Sequence, residues 1–461
     1  MEPGININLS QRKWMRKKGV FSEYSEIMRF RRISELICRR SSRYLLAAFL
    51  IALTGCRKDD NNSNGYGTYS QGSGNVVQNG QTFFTSTTDI SAVKVTGGTY
   101  NLTRSIVASG SNSSSPENSA KTGLNSVMLA SSEDEVAIIN SEGNLISSTG
   151  SGANGIFAFG KANINSKGDK LTHTGVRSQA IVSVGGSIIR VVNDTALTSG
   201  ENSAAVSGGI ITVKGGTYTT NGISSPAIYS SGSISCVDAQ FTANGAEALI
   251  IEGSNVIDLD KCIVKCTYDK WGSLIFKNTA GDASATEGFL IMTGGSFTYL
   301  GKKGGMFYNT NSTANYSLKG VTLLNSCDTL IKCIKGSWGS SPAANGGITK
   351  FTGDSQTMSG LIHADAFSKV YITLKNYSVF TGALNNSNTG NLVSLTMDYS
   401  SKWILTGSSH INGLLTNPFI SGSSVQNITG NGFNVYYNSG SNPSLGGLVY
   451  SLVNGGQLLP E

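Results

Sequence analysis

From about residue 85 to the C-terminus, apolar residues recur at every second position in short runs, and no stretch longer than a turn or two follows a helical apolar period. Period two is the mark of strands whose alternate side chains face a core. A longer repeat lies on top of it. The segments Ile211–Tyr218, Ile234–Phe241 and Ile257–Val264 each start 23 residues after the one before, with apolar residues at the same three places. Downstream the pattern continues at Leu290, Met292 and Phe297, then Tyr316, Leu318 and Leu323. Later copies sit at Ile372, Leu374 and Val379, and at Leu395 and Met397. Upstream it reaches Ile189 and Val191, and Val93, Val95 and Tyr100 read as a more distant copy. A second signature, a small residue followed by an aliphatic one, accompanies several copies: Ala180-Ile181, Ala205-Val206, Ala227-Ile228 and Ala248-Leu249.

A fixed step of this size, with two or three short strands per repeat and no helical part, predicts an all-β fold, a single right-handed parallel β-helix. One coil cannot bury its apolar positions alone; stacked coils place equivalent residues about 4.8 Å apart in continuous columns. The predicted columns are Ile189, Ile211, Ile234, Ile257, Leu290 and Val191, Val213, Cys236, Leu259, Met292. About a dozen coils give a solenoid of roughly 55–60 Å. A β-sandwich array would instead need antiparallel hairpins with Asn-Gly turns and would leave the 23-residue step unexplained.

The N-terminus follows different rules. Residues 44–53 are an uncharged apolar run behind Arg29, Arg31, Arg32, Arg39, Arg40 and Arg43, and that length suits a signal-peptide core better than a membrane span. The run ends in Leu53-Thr54-Gly55-Cys56, which resembles the lipobox of bacterial lipoproteins. That resemblance implies cleavage before Cys56 and acylation of its thiol. Residues 1–55 are thus read as a signal peptide, with Met28 as the true start, and residues 56–80, rich in Asn, Ser and Gly, as a lipidated flexible tether. The β-helix domain with a C-terminal cap is expected over residues 81–461. Lys58-Asp59-Asp60 resembles the export signal that carries some lipoproteins to the outer face of the outer membrane. Removing residues 1–55 also changes the charge. The whole chain has 35 basic and 28 acidic residues, the first 55 residues hold 11 and 4, and the remainder has 24 of each. The basic excess leaves with the signal peptide, and no nucleic-acid footprint remains.

The repeat segments Gly215–Tyr229 and Met292–Phe297 resemble the adhesin-like β-helix proteins of gut and anaerobic bacteria, which are pectin-lyase-like in fold. The resemblance spans roughly residues 85–440 and implies fold more than activity. Together with the anchor it implies a surface protein, an adhesin or glycan binder, held to the membrane by its lipid and facing the exterior. The alternative is a polysaccharide lyase or glycoside hydrolase.

Enzymes of that fold carry acidic ladders on an outer sheet face, so Asp258 and Asp260 are the local candidates. The 23-residue register places Lys214, Val237, Thr293 and Lys319 in line with Asp260, and Thr212, Ser235 and Ile291 in line with Asp258. No acid joins either column, and catalytic or metal-binding carboxylates must converge; no catalytic residue, metal or cofactor is assigned. Glu133-Asp134-Glu135 reads as a surface turn. His173, His363 and His410 lack metal-ligand spacing, and no nucleophile elbow or phosphate loop occurs. Cys236 is expected to be buried, while Cys262, Cys266, Cys327 and Cys333 could remain thiols or pair. The step widens to 33 residues between Leu259 and Met292, and a second insertion lies near Gly336–Gly347. Insertions in a solenoid form loops on its flank, often the binding face. Tyr268 and Trp271 beside the first, and Trp338 within the second, are the candidate sugar-stacking residues.

Overall fold

The columns predicted from the 23-residue step are the columns of the structure. Ile189 pairs with Ile211, Ile211 with Ile234, Ile234 with Ile257, and Ile257 with Leu290, all in parallel register. Val191, Val213, Cys236, Leu259 and Met292 run alongside, and every one of these side chains is buried. The computed structural model describes residues 67–278, 283–336 and 346–461. The unit Gly67–Glu461 is a right-handed parallel β-solenoid of about 15 turns, or about 70 Å at one strand spacing per turn.

The count exceeds a dozen because parallel pairing continues beyond Met397. Lys402–Ile404 stacks on Val379–Thr381, and Val435–Tyr437 stacks between Ser409–Ile411 and Gln457–Pro460. Among the described residues, antiparallel pairing is confined to two short C-terminal places, including the closing hairpin of Tyr450–Val453 with Gln457–Pro460. At the other end the first strands, Tyr69–Gln71 and Asn75–Asn79, fall inside the segment read as tether. Their polar composition hid them, but Tyr69 stacks on Tyr100 at 4.3 Å, and the Gln71 amide donates to the backbone carbonyls of Gly97 and Thr99.

Most coils contribute two consecutive segments to one long sheet and a third to a ten-stranded sheet, which runs from Thr82–Thr85 to Thr322–Asn325. The small-aliphatic signature begins the first segment: Ile181, Val206, Ile228 and Leu249 form one column. Here Val93 and Val95 depart from expectation. They pair with Met128 and Ala130 in that first segment, whereas Tyr100 alone joins the Ile189 column through Ile139 and Ile164. The two segments have similar alternation, so periodicity alone does not separate them.

Two polar ladders lock the corners. At one, Ser178, Ser203 and Ser225 donate to the carbonyls of Gly150, Gly175 and Gly200 and accept the backbone N–H of the preceding coil. The glycines are required by contact: a Cβ on Gly200 would lie 1.7 Å from the Gly175 oxygen. At another corner Asn144, Asp169 and Asp194 stack, each side-chain Oδ1 accepting the N–H of the rung before it. The short helix α1 (Pro116–Thr122) interrupts the solenoid between Ser115, whose hydroxyl caps it, and Gly123 at φ 75°, which lies over Leu129 and Phe157.

Candidate functional site

The described residues that flank the two insertions lie at the corner between the two segments of the long sheet. The first separates Trp271–Phe276 from Glu287–Thr293, and the second separates Thr329–Cys333 from Ile348–Asp354. The outward faces on either side of that corner carry the chemistry.

Beyond the corner, four stacked strands, Glu287–Thr293, Thr313–Lys319, Ile348–Asp354 and Lys369–Lys375, turn alternate residues outward. Register aligns Phe289, Asn315, Lys350 and Tyr371 in one column and Ile291, Ser317, Thr352 and Thr373 in the next. Together with Ser284 from the first insertion they line an open trough of about 780 Å³. The Glu287 carboxylate accepts from Lys350 Nζ at 2.9 Å and Asn315 Nδ2 at 3.1 Å, and these two donors hold it below the usual carboxylate range. Phe289 and Tyr371 are three strand spacings apart, about 14 Å, and Tyr371 is 37 % exposed. The trough therefore offers two rings, a short apolar strip and a fixed fan of donors and acceptors with no net charge from its ion pair.

Before the corner, the outward column runs Tyr229, Ile250, Leu274, Tyr308, Lys332, His363. Trp271 stacks on Tyr308 with ring centroids 3.8 Å apart and planes within 6°, and Lys270 and Lys332 approach its ring at 5.7 and 5.6 Å. The Tyr229 phenol donates to Glu252, whose own carboxyl is pushed up by burial. Burial and the neighbouring Lys332 hold the His363 imidazole below its ordinary value, with Asp365 opposing. This shelf is mostly covered: Ile250, Leu274, Phe276 and Tyr308 are all buried on the outer side of the sheet.

Of the residues singled out by sequence, Trp271 lies on this shelf, engaged by Tyr308 on its stacked face. Tyr268 is half-buried and packs against the main core. Trp338 and Cys56 lie outside the described residues, as do Met28 and Lys58-Asp59-Asp60. Asp258 and Asp260 face outward with the neighbours their register predicts, and Asp258 adjoins Ile291 at the margin of the trough. Burial, then the nearby Asp260, raises the Asp258 carboxyl. Glu133-Asp134-Glu135 occupies an exposed bulge within a long strand rather than a turn between strands. Among the described residues no three His, Cys, Asp or Glu side chains gather in a metal-binding group. Cys236, Cys262, Cys266, Cys327 and Cys333 are free thiols, all buried except Cys327.

The trough residues escaped the sequence reading because the step there is irregular: 26, 35 and 21 residues separate Phe289, Asn315, Lys350 and Tyr371. An aromatic in the outward slot beside an inward aliphatic, as at Phe289-Leu290 and Tyr371-Ile372, was the available signal. No family model matches the chain, and neither a curated protein nor a solved structure matches it.

Proposed function

We propose that the protein is a surface-displayed solenoid that binds carbohydrate along this trough. The observation that carries the reading is the trough itself: an exposed Tyr371 and a half-buried Phe289 about 14 Å apart, with Asn315 and Lys350 between them and both held by the Glu287 carboxylate alongside. Sugar rings stack their C–H faces on aromatic rings and satisfy their hydroxyls with planar amides and charged pairs. A shallow open site suits a polymer better than a small molecule enclosed on all sides. A lipid on Cys56 and the polar stretch after it would hold such a solenoid off the outer membrane and facing outward. A glycan array followed by calorimetry on the hits tests the reading. Tyr371→Ala should weaken binding at least about tenfold, or about 1.4 kcal/mol, with the thermal midpoint unchanged; binding that is indifferent to Tyr371 and Phe289 would overturn it.

A second reading, cleavage, is favoured by one observation. His363, held neutral, sits in the coil next to Lys332 and in line with Tyr308. A neutral base beside a fixed cation suits proton abstraction next to a sugar carboxylate. Incubation with uronate polymers, followed by ultraviolet absorbance of unsaturated ends, tests it: activity lost in His363→Ala supports it, and no absorbance change in the parent excludes it for those polymers.

A further inference from the structure

The ten-stranded sheet takes no part in the trough. Each of its strands turns two residues outward, in straight columns from Thr82 to Thr322 and from Phe84 to Leu324. Two from each of ten strands makes twenty side chains, of which only Lys170 and Lys265 are charged. Phe84, Leu145, Leu197, Ile263 and Leu324 are large, apolar and 39–56 % exposed. Thirteen of the twenty are Thr, Ser, Gln or Lys, so the apolar side chains stand apart on a Thr-rich face of low charge, and what bears on a partner is their placement along the two columns.

We propose that this face binds a second copy of the same chain, sheet against sheet, with the two solenoids antiparallel. Consider a two-fold axis between the sheets, along the strand direction and midway between Thr195–Thr198 and Thr217–Thr220. It lays the first strand of one copy on the tenth of the other, the third on the eighth and the fourth on the seventh, and each outward column on itself. Phe84 then meets Leu324, and Leu145 meets Ile263. Lys170 meets Gln240, and Lys265 meets Ser147, so no lysine faces a lysine. Four of the five exposed apolar side chains gain an apolar partner. The other face-to-face two-fold, along the solenoid axis, lacks this match: it puts Phe84 on Thr82, Leu145 on Ser147 and Ile263 on Lys265.

The area supports a specific but weak contact. Nine strand spacings by four residues give about 43 by 13 Å, or about 570 Å² per copy and about 1,100 Å² for the pair. That lies near the lower bound for specific interfaces, so the dissociation constant belongs in the micromolar range. Antiparallel copies point their N-terminal ends apart. If the chain is anchored as proposed above, the contact joins two opposed surfaces, where many weak pairs act together.

Sedimentation velocity of the purified protein across the micromolar range tests the proposal without depending on the anchor or on carbohydrate. Leu145→Glu and Ile263→Lys each place a charge opposite an apolar residue of the second copy. Both positions are on the outer face, and a thermal melt confirms folding of each variant. Within one chain the two positions are five strands, about 24 Å, apart, beyond the reach of a screened ion pair. Across the two-fold, the double variant L145E/I263K sets carboxylate against ammonium. The parent should self-associate, each single variant should weaken association about tenfold or more, and the double variant should recover most of it. A parent that stays monomeric throughout the range, or a double variant as weak as the singles, overturns the proposal.

Discussion

Asp194 is the rung of the corner ladder where substitution should stabilise the protein. Its carboxyl is fully shielded from solvent, and burial, followed by the nearby Asp169, pushes it up to about 7. Ser166 Oγ lies within hydrogen-bond reach of both Asp169 and Asp194 but has one proton to give. A proton on Asp194 lets that carboxyl donate to the serine while Asp169 accepts from Ser141 and Ser166. Because the folded value is raised above the unfolded one, the ladder is at full strength below pH about 3.8. It weakens as pH rises towards about 7. Roughly three pKa units at about 1.4 kcal/mol each amount to about 4 kcal/mol as a ceiling. Asp194→Asn keeps the Oδ1 that accepts the Asp169 N–H and supplies a permanent donor towards Ser166, as Asn144 does towards Ser141 two rungs earlier on the same corner. At pH 8 the variant should therefore be more stable than the parent, and at pH 4 the two should coincide. With about 0.8 kcal/mol per degree of unfolding entropy for a domain this size, 4 kcal/mol corresponds to about 5 °C. Calorimetric melts of both proteins at pH 4, 6 and 8 measure it. A variant that melts below the parent at pH 8, or a gap that does not grow with pH, would refute the reasoning.

Other predictions follow from the same contacts. Gly200→Ala forces a methyl group against the Gly175 carbonyl and should cost at least about 2 kcal/mol by melting, whereas Gly143→Ala, with open space around its Cβ, should cost much less despite its φ of 66°. His173 is buried with its Nδ1 at 2.8 Å from Ser148 Oγ, and burial lowers it to about 3. Its stabilising effect is therefore complete above pH 6.5 and fades as pH falls towards 3, by up to about 5 kcal/mol. His173→Thr, which copies Thr198 on the next rung, should flatten the acid limb of the stability profile measured by melting from pH 7 to 4. Lys350→Ala breaks an exposed pair and should change stability by less than about 1 kcal/mol, yet weaken any ligand that reads the trough.

Sequence patterning carried the architecture because the solenoid core is periodic. Ile211, Ile234 and Ile257 repeat at one step since each coil must present the same side chain to the same column. The register failed where two segments share one alternation, as at Val93 and Val95. It also missed structure set in polar sequence: the Ser178–Ser203–Ser225 ladder is held by hydrogen bonds that leave no apolar trace, and in the first coil at Tyr69–Asn79 only Tyr69 and Val76 pack on the core. Helix α1 escaped the sequence reading, since seven residues are too few to display a period. The insertions were found from the step length. The trough beside them was not, because its residues come from coils of three different lengths and meet only after stacking.

The most direct test of the central claim is binding measured against ligand length. Phe289 and Tyr371 lie three coils apart on one straight column, a span of about three sugar rings. For a polysaccharide identified by array, calorimetry with oligosaccharides of increasing length should show affinity rising steeply once the chain reaches both rings and levelling beyond that. The step should vanish in Tyr371→Ala. Affinity that is independent of length, or a step that persists without Tyr371, would contradict carbohydrate binding along the trough.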